Sequence, residues 1–365
     1  MRICIFGDAQ SVHLQRIVPG LIDRGVDVHV VTHKPAEISG VAVERFSVPP
    51  PSLTNLRTWH GRWLKCLREY MRRFDVVHVH FLADWGFTPE IMAEGCLVAS
   101  PWGSDIVPPP GEGQPPRKLT DARVAMLRHA AMVTTWGPTF ARTVAEFANI
   151  DESTIELLPL GVDLELFKPV ERRFPRQSNL LRVGFYKGFR EVYGASYLMR
   201  AMPAVVEVVP EVRFDMIGDG PQLAHCKMLA GLYGVEAHVN WVRRQPHRNI
   251  PNYLDGWDLT VIPSVCESFG AAALESSAMR VPVVASDVGG LPDTVEHGVT
   301  GLLVPPQAPE QLADAVITLL EDPELRQRMG AAGREMVERE YDWQAILDKW
   351  VATYGKARDR VFAVV

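Results

Sequence analysis

The stretch Cys266–Gly290, CESFGAAALESSAMRVPVVASDVGG, sets one acid, Glu267, ahead of the run Ser268–Ala273 and a second, Glu275, eight positions later. An apolar strand-like run and a Gly-Gly pair follow. Ser268–Ala273 reads as a helix start where a ligand can come close to free backbone N–H groups, and phosphate is the usual anion at such an end. At the standard helical rise Glu275 lies about 12 Å along from Glu267. That is comparable to the reach from ribose to sugar across a diphosphate. A carboxylate accepts well from two neighbouring hydroxyls, so one acid per sugar ring suits a nucleotide diphosphate-sugar. Spacing alone leaves a second reading open, in which Glu267 complements the helix dipole and Glu275 is a solvated helix residue.

Outward from this stretch, the chain alternates short β-branched runs with helix-length segments. RICIFGD, DVHVVTH, VAVERFSV, DVVHVHF, LVASPWG and MVTTWG in the first half read as strands, each stopped by Gly, Pro or Asp. LLRVGFY, VRFDMIG, AHVNWV, LTVIPS, VPVVASD and TGLLVP repeat the scheme in the second half. Strand and helix in alternation mean parallel sheets with helices on both faces, here two Rossmann-like α/β domains in series. Turn-rich PLGVDLELFKP places the boundary near Phe167, with domains at 1–166 and 167–341, and a final helix at 342–365. The proline cluster Pro108–Pro116 follows a strand end, where ligands bind in such sheets.

Composition narrows the class. A chain of 365 residues, 47% apolar and 22% charged, is a packed two-domain protein, and a net charge of −6 argues against nucleic acid as partner. Five scattered cysteines with no C-x-x-C pair suggest neither disulfides nor zinc. No signal-peptide pattern and no membrane-length apolar run are seen, so a cytoplasmic location is expected. The helix-like stretch around 57–74 mixes Trp, Tyr and Phe with Arg and Lys. It suits either an anionic membrane surface, as a peripheral contact, or a sheet-covering helix with a solvated basic face.

The run PSVCESFGAAALESSAMRVPVVASDVGG followed by GVTGLLVP resembles the E-x7-E signature of the family 4 (group 1) retaining glycosyltransferases. DVVHVHF, WGSD, LPLGVDLELFKP and MIGDGPQL resemble further stretches of that family in the same order. The resemblance implies the GT-B fold, two facing Rossmann-like domains with the C-terminal helix returning to the first. It implies that Glu267 holds hydroxyls of the donor sugar, that Glu275 holds the ribose, and that the backbone at Ser268, Phe269 and Gly270 faces the diphosphate or sugar. Many members carry an Arg and a Lys aimed at the diphosphate where this chain has Phe185 and Tyr193. It resembles instead a branch with a K…YG arrangement, in which Lys187, helped by Arg190, supplies the charge. An exposed loop lysine is the other reading of Lys187.

The first domain is expected on the acceptor side. His80 ends a strand at the family position close to the reacting sugar, and Asp105 in WGSD is read as a contact to donor sugar or phosphate. Trp102 stands where the family often has His. Asp8 and His13 in the first turn face the acceptor or serve as turn and cap residues. Gly218 in GDGP forms a tight turn near the nucleotide. Neither cofactor nor metal is expected, since no ligand cluster and no D-x-D-like pair is present.

The resemblance implies a retaining transferase moving sugar from a nucleotide diphosphate-sugar, UDP favoured by family habit, to a saccharide acceptor, lipid-linked in envelope or exopolysaccharide synthesis. A non-catalytic GT-B binding protein and a sugar-nucleotide epimerase of the same fold stay open.

Overall fold

The computed structural model describes residues 1–45, 65–82, 95–108, 117–170 and 180–362. The expectations placed on residues 57–64, on 109–116 and on the irregular stretch 171–179 lie outside them. The chain divides into two compact units, Met1–Pro159 with Gln344–Val365, and Leu160–Trp343.

Among the described residues unit 1 holds seven strands: β1 (Arg2–Phe6), β2 (Asp27–Thr32), β3 (Val43–Arg45), β4 (Val76–His80), β5 (Leu97–Ser100), β6 (Met132–Thr135) and β7 (Glu156–Leu157). Their order is β3-β2-β1-β4-β5-β6-β7, all parallel. Every residue of β4, β5 and β6 is buried, as expected for strands covered on both faces. The chain crosses back between β3 and β4 to pair β4 with β1, so the order reverses at the β1/β4 boundary. Crevices for ligands open at the carboxyl ends of strands at such a switch point.

The helix Trp343–Phe362 contributes to unit 1 from Gln344 onward. Its Trp350 and Tyr354 are fully buried. A side chain on Gly20 would lie 2.4 Å from Leu347 Cδ1, so the glycine is what lets the helices Val12–Ile22 and Trp343–Phe362 approach. Arg24 donates to Asp348 at 2.6 Å and to the Gln344 carbonyl at 2.8 Å.

Unit 2 holds β8 (Arg182–Phe185), β9 (Arg213–Ile217), β10 (Val239–Val242), β11 (Leu259–Ile262), β12 (Val283–Ser286) and β13 (Gly301–Val304), in the parallel order β10-β9-β8-β11-β12-β13. Here the switch point is β8/β11. Phe185, Phe189 and Phe214 are fully buried beneath it, each contributing about 2 kcal/mol by apolar burial. The buried Asp215 on β9 is satisfied by Trp257 Nε1–H at 2.8 Å, Asn240 at 2.9 Å and Arg182 at 3.2 Å, which ties β9 to both neighbouring strands.

The units part at Pro159, ahead of the boundary read near Phe167. The intervening segment is held by the end of unit 2: Val162 N–H donates to the Tyr341 carbonyl at 2.7 Å, and Arg334 donates to the Phe167 carbonyl at 2.8 Å. In the basic stretch, Leu67 and Met71 are buried while Lys65, Arg72 and Arg73 are exposed. The described part is a sheet-covering helix with a solvated basic face. No helix among the described residues is long and apolar enough to cross a membrane.

Candidate functional site

In unit 2 the site grows from the ends of β8 and β11. Tyr186 and Lys187 follow β8, and Glu267 follows β11 by way of a short loop. The Lys187 ammonium donates to Glu267 Oε2 and stands 4.8 Å over the Tyr193 ring. Both partners are largely buried, at 15% and 11% side-chain exposure, so Lys187 is no solvated loop lysine. Burial alone would pull its pKa down, but the charge and hydrogen bond of Glu267 outweigh that and hold it above the ordinary lysine value.

Glu267 and Glu275 do not share one helix. The helix runs Ala271–Ala278, and Gly270 ahead of it has φ 99°, a left-handed turn that breaks helical continuity. Glu267 therefore sits in the loop, and the separation of the acids is not the rise of eight helical residues. Glu275 is on the helix and buried, against the reading of a solvated residue. His247 Nε2 lies 2.7 Å from Glu275 Oε1. The Tyr186 hydroxyl donates to the Ala272 carbonyl at 2.5 Å and lies 3.4 Å from Glu275 Oε2. Burial first, then the Glu275 charge, pushes the Tyr186 phenol well above its usual pKa, so it stays protonated and able to donate.

Backbone closeness surrounds these side chains. Gly290 N–H donates to the Glu267 carbonyl at 3.0 Å. A side chain on Gly289, at φ 55°, would fall 1.8 Å from that same carbonyl oxygen. Gly218 passes beneath Lys187, where an added Cβ would meet the Lys187 carbonyl at 2.2 Å. Phe269 turns its ring into the core, 6.2 Å from Tyr341. Arg190 is exposed at the head of the turn Glu191–Tyr193.

Unit 1 gathers its residues at the β1/β4 switch point. A cavity of about 430 Å³ there is lined by Asp8, Ser11, Lys34, His80 and Trp102 among others. Asp8 accepts from the Gln10 N–H at 2.9 Å, an Asx turn, and from Lys34 Nζ at 3.0 Å. Ser11 caps the helix Val12–Ile22 by accepting from the His13 N–H, and the His13 ring packs edge-on to Trp102 at 5.2 Å.

His80 is fully buried, with Nε2 3.1 Å from His78 Nδ1. Burial, with the charge of His13 adding to it, pushes its pKa down to about 3, so the ring is neutral at pH 7. His78 in turn lies 2.8 Å from the Tyr354 hydroxyl and 2.6 Å from Ser100 Oγ.

Asp105 takes a different role from the ligand contact expected of it. It is fully buried, and its two oxygens accept the N–H groups of Leu82 at 2.7 Å, Trp102 at 2.9 Å and Gly103 at 2.8 Å. The carboxylate holds the loops after β4 and β5 together, leaving it no open face for sugar or phosphate. Burial raises its pKa against those backbone hydrogen bonds.

Tyr186, His247 and Tyr354 were not among the residues singled out from the sequence. Tyr186 adjoined Lys187 and was within reach. His247 and Tyr354 come from distant segments with no spacing to mark them. Among the described residues no three His, Cys, Asp or Glu side chains come together as a metal site.

The chain as a whole has relatives among known proteins. The family model described as Glycosyl transferases group 1 matches residues 170–336, and that described as Glycosyltransferase Family 4 matches 10–166. The chain belongs to the family 4, group 1 glycosyltransferases. As a glycosyltransferase it is 27% identical to a D-inositol 3-phosphate glycosyltransferase of Thermobispora bispora, over 98% of this chain and 92% of that one. It is 31% identical to a GDP-mannose-dependent alpha-(1-6)-phosphatidylinositol monomannoside mannosyltransferase of Mycobacterium tuberculosis, over 60% of each. Sucrose-phosphate synthase from Thermosynechococcus elongatus superposes with TM-score 0.80 at 22% identity, covering 100% of both chains. An Anabaena protein solved with UDP and glucose gives 0.76 at 19%, covering 97% of this chain and 99% of that one. The fold of this glycosyltransferase is thus GT-B.

Proposed function

We propose that this glycosyltransferase moves a sugar from a nucleotide diphosphate-sugar to an acceptor hydroxyl with retention at the anomeric carbon, without a metal. The observation that carries the reading is the Lys187–Glu267 pair beside the start of the helix Ala271–Ala278. A diphosphate arriving at that helix start draws the Lys187 charge to itself and frees Glu267 to accept from sugar hydroxyls. Glu275, already oriented by His247 and Tyr186, accepts from the ribose. In the transfer the bond from sugar to phosphate breaks and the acceptor oxygen bonds the anomeric carbon from the same face. The acceptor's proton passes to the departing diphosphate oxygen, whose charge Lys187 stabilises.

UDP is the favoured donor base, in keeping with the Anabaena neighbour solved with UDP and glucose. GDP is the alternative, motivated by the GDP-mannose-dependent relative. For the acceptor we favour a saccharide or polyol hydroxyl. The D-inositol 3-phosphate relative supports a polyol, and a lipid-linked saccharide of envelope glycan synthesis is the second form. A cytoplasmic place of work, at the inner face of the membrane when the acceptor is lipid-linked, belongs to the same proposal.

Thermal shift of the purified protein against UDP, GDP and ADP, with and without a divalent metal, tests it. Metal-independent stabilisation by one nucleotide, lost in Lys187→Ala and Glu275→Ala, is expected. Equal stabilisation in wild type and both variants would detach the two residues from the nucleotide, and none in wild type would leave the non-catalytic reading.

A further inference from the structure

The segment GVDLELF, Gly161–Phe167, lies at the start of unit 2, and the proposed transfer leaves it without a task. Its shape is set locally. Asp163 Oδ1 accepts the N–H groups of Glu165 at 3.1 Å and Leu166 at 3.0 Å, and the Phe167 N–H donates to the Asp163 carbonyl at 2.8 Å. An acid that gathers the N–H groups following it closes a tight turn. This one leaves Phe167 fully buried while Glu165 and Lys168 stay exposed.

What Phe167 meets there leads to the second acid of the site. Its ring centroid is 5.2 Å from that of His247, and His247 Nε2 is 2.7 Å from Glu275 Oε1. A carboxylate only accepts, so that nitrogen carries the hydrogen and donates. The backbone of Phe167 is tied to the helix that carries Glu275. Arg334 Nη1 donates to the Phe167 carbonyl and to the carbonyl of Ala278, the last residue of Ala271–Ala278, each at 2.8 Å. Tyr186 is the lesser hold on the acid. Its one hydrogen goes to the Ala272 carbonyl at 2.5 Å, which leaves the 3.4 Å approach to Glu275 Oε2 a weak contact. The path of orientation therefore runs from Phe167 through His247 to Glu275, and Oε2 keeps capacity to accept.

We propose that His247 and Phe167 are positioning residues for Glu275: the turn Gly161–Phe167 braces the His247 ring, whose N–H fixes the carboxylate in the orientation that accepts ribose hydroxyls. The proposal rests on the reading of Glu275 as the ribose acid. Holding a long, rotatable side chain in its bound orientation beforehand removes an ordering cost from binding.

Isothermal titration calorimetry of the full chain with UDP and GDP, each compared with the same nucleotide carrying dideoxyribose, tests it. Wild type should prefer the ribose form of the nucleotide that binds by about a hundredfold, the worth of charge-assisted hydrogen bonds from two hydroxyls. His247→Phe keeps a ring against Phe167 but loses the donor, and the preference should fall about tenfold with affinity for the dideoxy form unchanged. His247→Gln returns an N–H and should recover most of that loss. Phe167→Leu should lower the preference about threefold in the wild-type background and not at all in His247→Phe, since both residues act along one path. A loss shared equally by both nucleotide forms, an undiminished preference in His247→Phe, no recovery in His247→Gln, or a Phe167→Leu effect that is nil or the same in both backgrounds would overturn the proposal alone. No ribose preference in wild type, or no binding, would overturn it together with the ribose reading of Glu275.

Discussion

Tyr186 and Lys187 are adjacent in the chain, and each meets one of the two acids: the Tyr186 hydroxyl lies 3.4 Å from Glu275 Oε2, and the Lys187 ammonium pairs with Glu267. Successive side chains leaving a strand point to opposite sides. A single strand end, that of β8, therefore engages both acids.

Lys187→Met leaves the Glu267 carboxylate largely buried without its cation. Removing one partner of such a pair costs about 3 kcal/mol, read by chemical denaturation. The double variant Lys187→Met with Glu267→Gln should regain most of that loss, because no bare charge remains. Turnover should fall on the order of a hundredfold or more in both. Wild-type stability in the single variant would mean that the pair contributes nothing to the fold.

Unit 1 should weaken in acid. His80 is held at a pKa of about 3 and His78 also below the ordinary value, burial being the main cause for each. The unfolded chain then binds more protons than the folded one between about pH 3 and the ordinary histidine value near 6.5. Stability is therefore full above about pH 6.5 and declines as pH falls through that window. Melting temperatures across this range, in wild type and His80→Gln, check it; the variant should show the shallower decline.

Gly289→Ala puts a methyl group 1.8 Å from the Glu267 carbonyl oxygen, at a φ of 55° that alanine adopts poorly. The loop carrying Glu267 has to shift. A stability loss of about 2 kcal/mol should come with a turnover loss larger than destabilisation explains, measured well below the melting temperature. Unchanged turnover would show that the position of Glu267 is not critical.

Asp105→Ala strands three backbone N–H groups in a buried loop. A loss on the order of 3 kcal/mol is expected, while nucleotide stabilisation of the protein stays as in wild type. A specific loss of nucleotide binding would restore Asp105 as a ligand contact.

Much of this protein was legible before any tertiary contact. RICIF, VVHVH, LTVI and VVAS are short apolar runs stopped by turn residues, so their strand character and parallel arrangement are properties of local sequence and alternation. Glu267 and Glu275 stood out by their spacing around a helix start and by the E-x7-E resemblance, and Lys187 by the resemblance alone. The boundary at Pro159 was harder to see, because the segment after it is set by a hydrogen bond to the Tyr341 carbonyl and one from Arg334, both far along the chain. Asp105 misled for a similar reason: a strand-end acid looks the same whether it faces a ligand or three backbone amides.

The sequence by itself determined the alternation of elements, the two-domain division, the family, and which acids and which lysine carry charge near the ends of β8 and β11. Tertiary structure alone decided what each of them touches. Lys187 and Glu267 are 80 positions apart, and His78 and Tyr354 are 276 apart. Their meeting depends on strand order at the two switch points and on the C-terminal helix packing into unit 1. Local propensity sets neither, because distances across a sheet come from which strands pair and not from spacing along the chain.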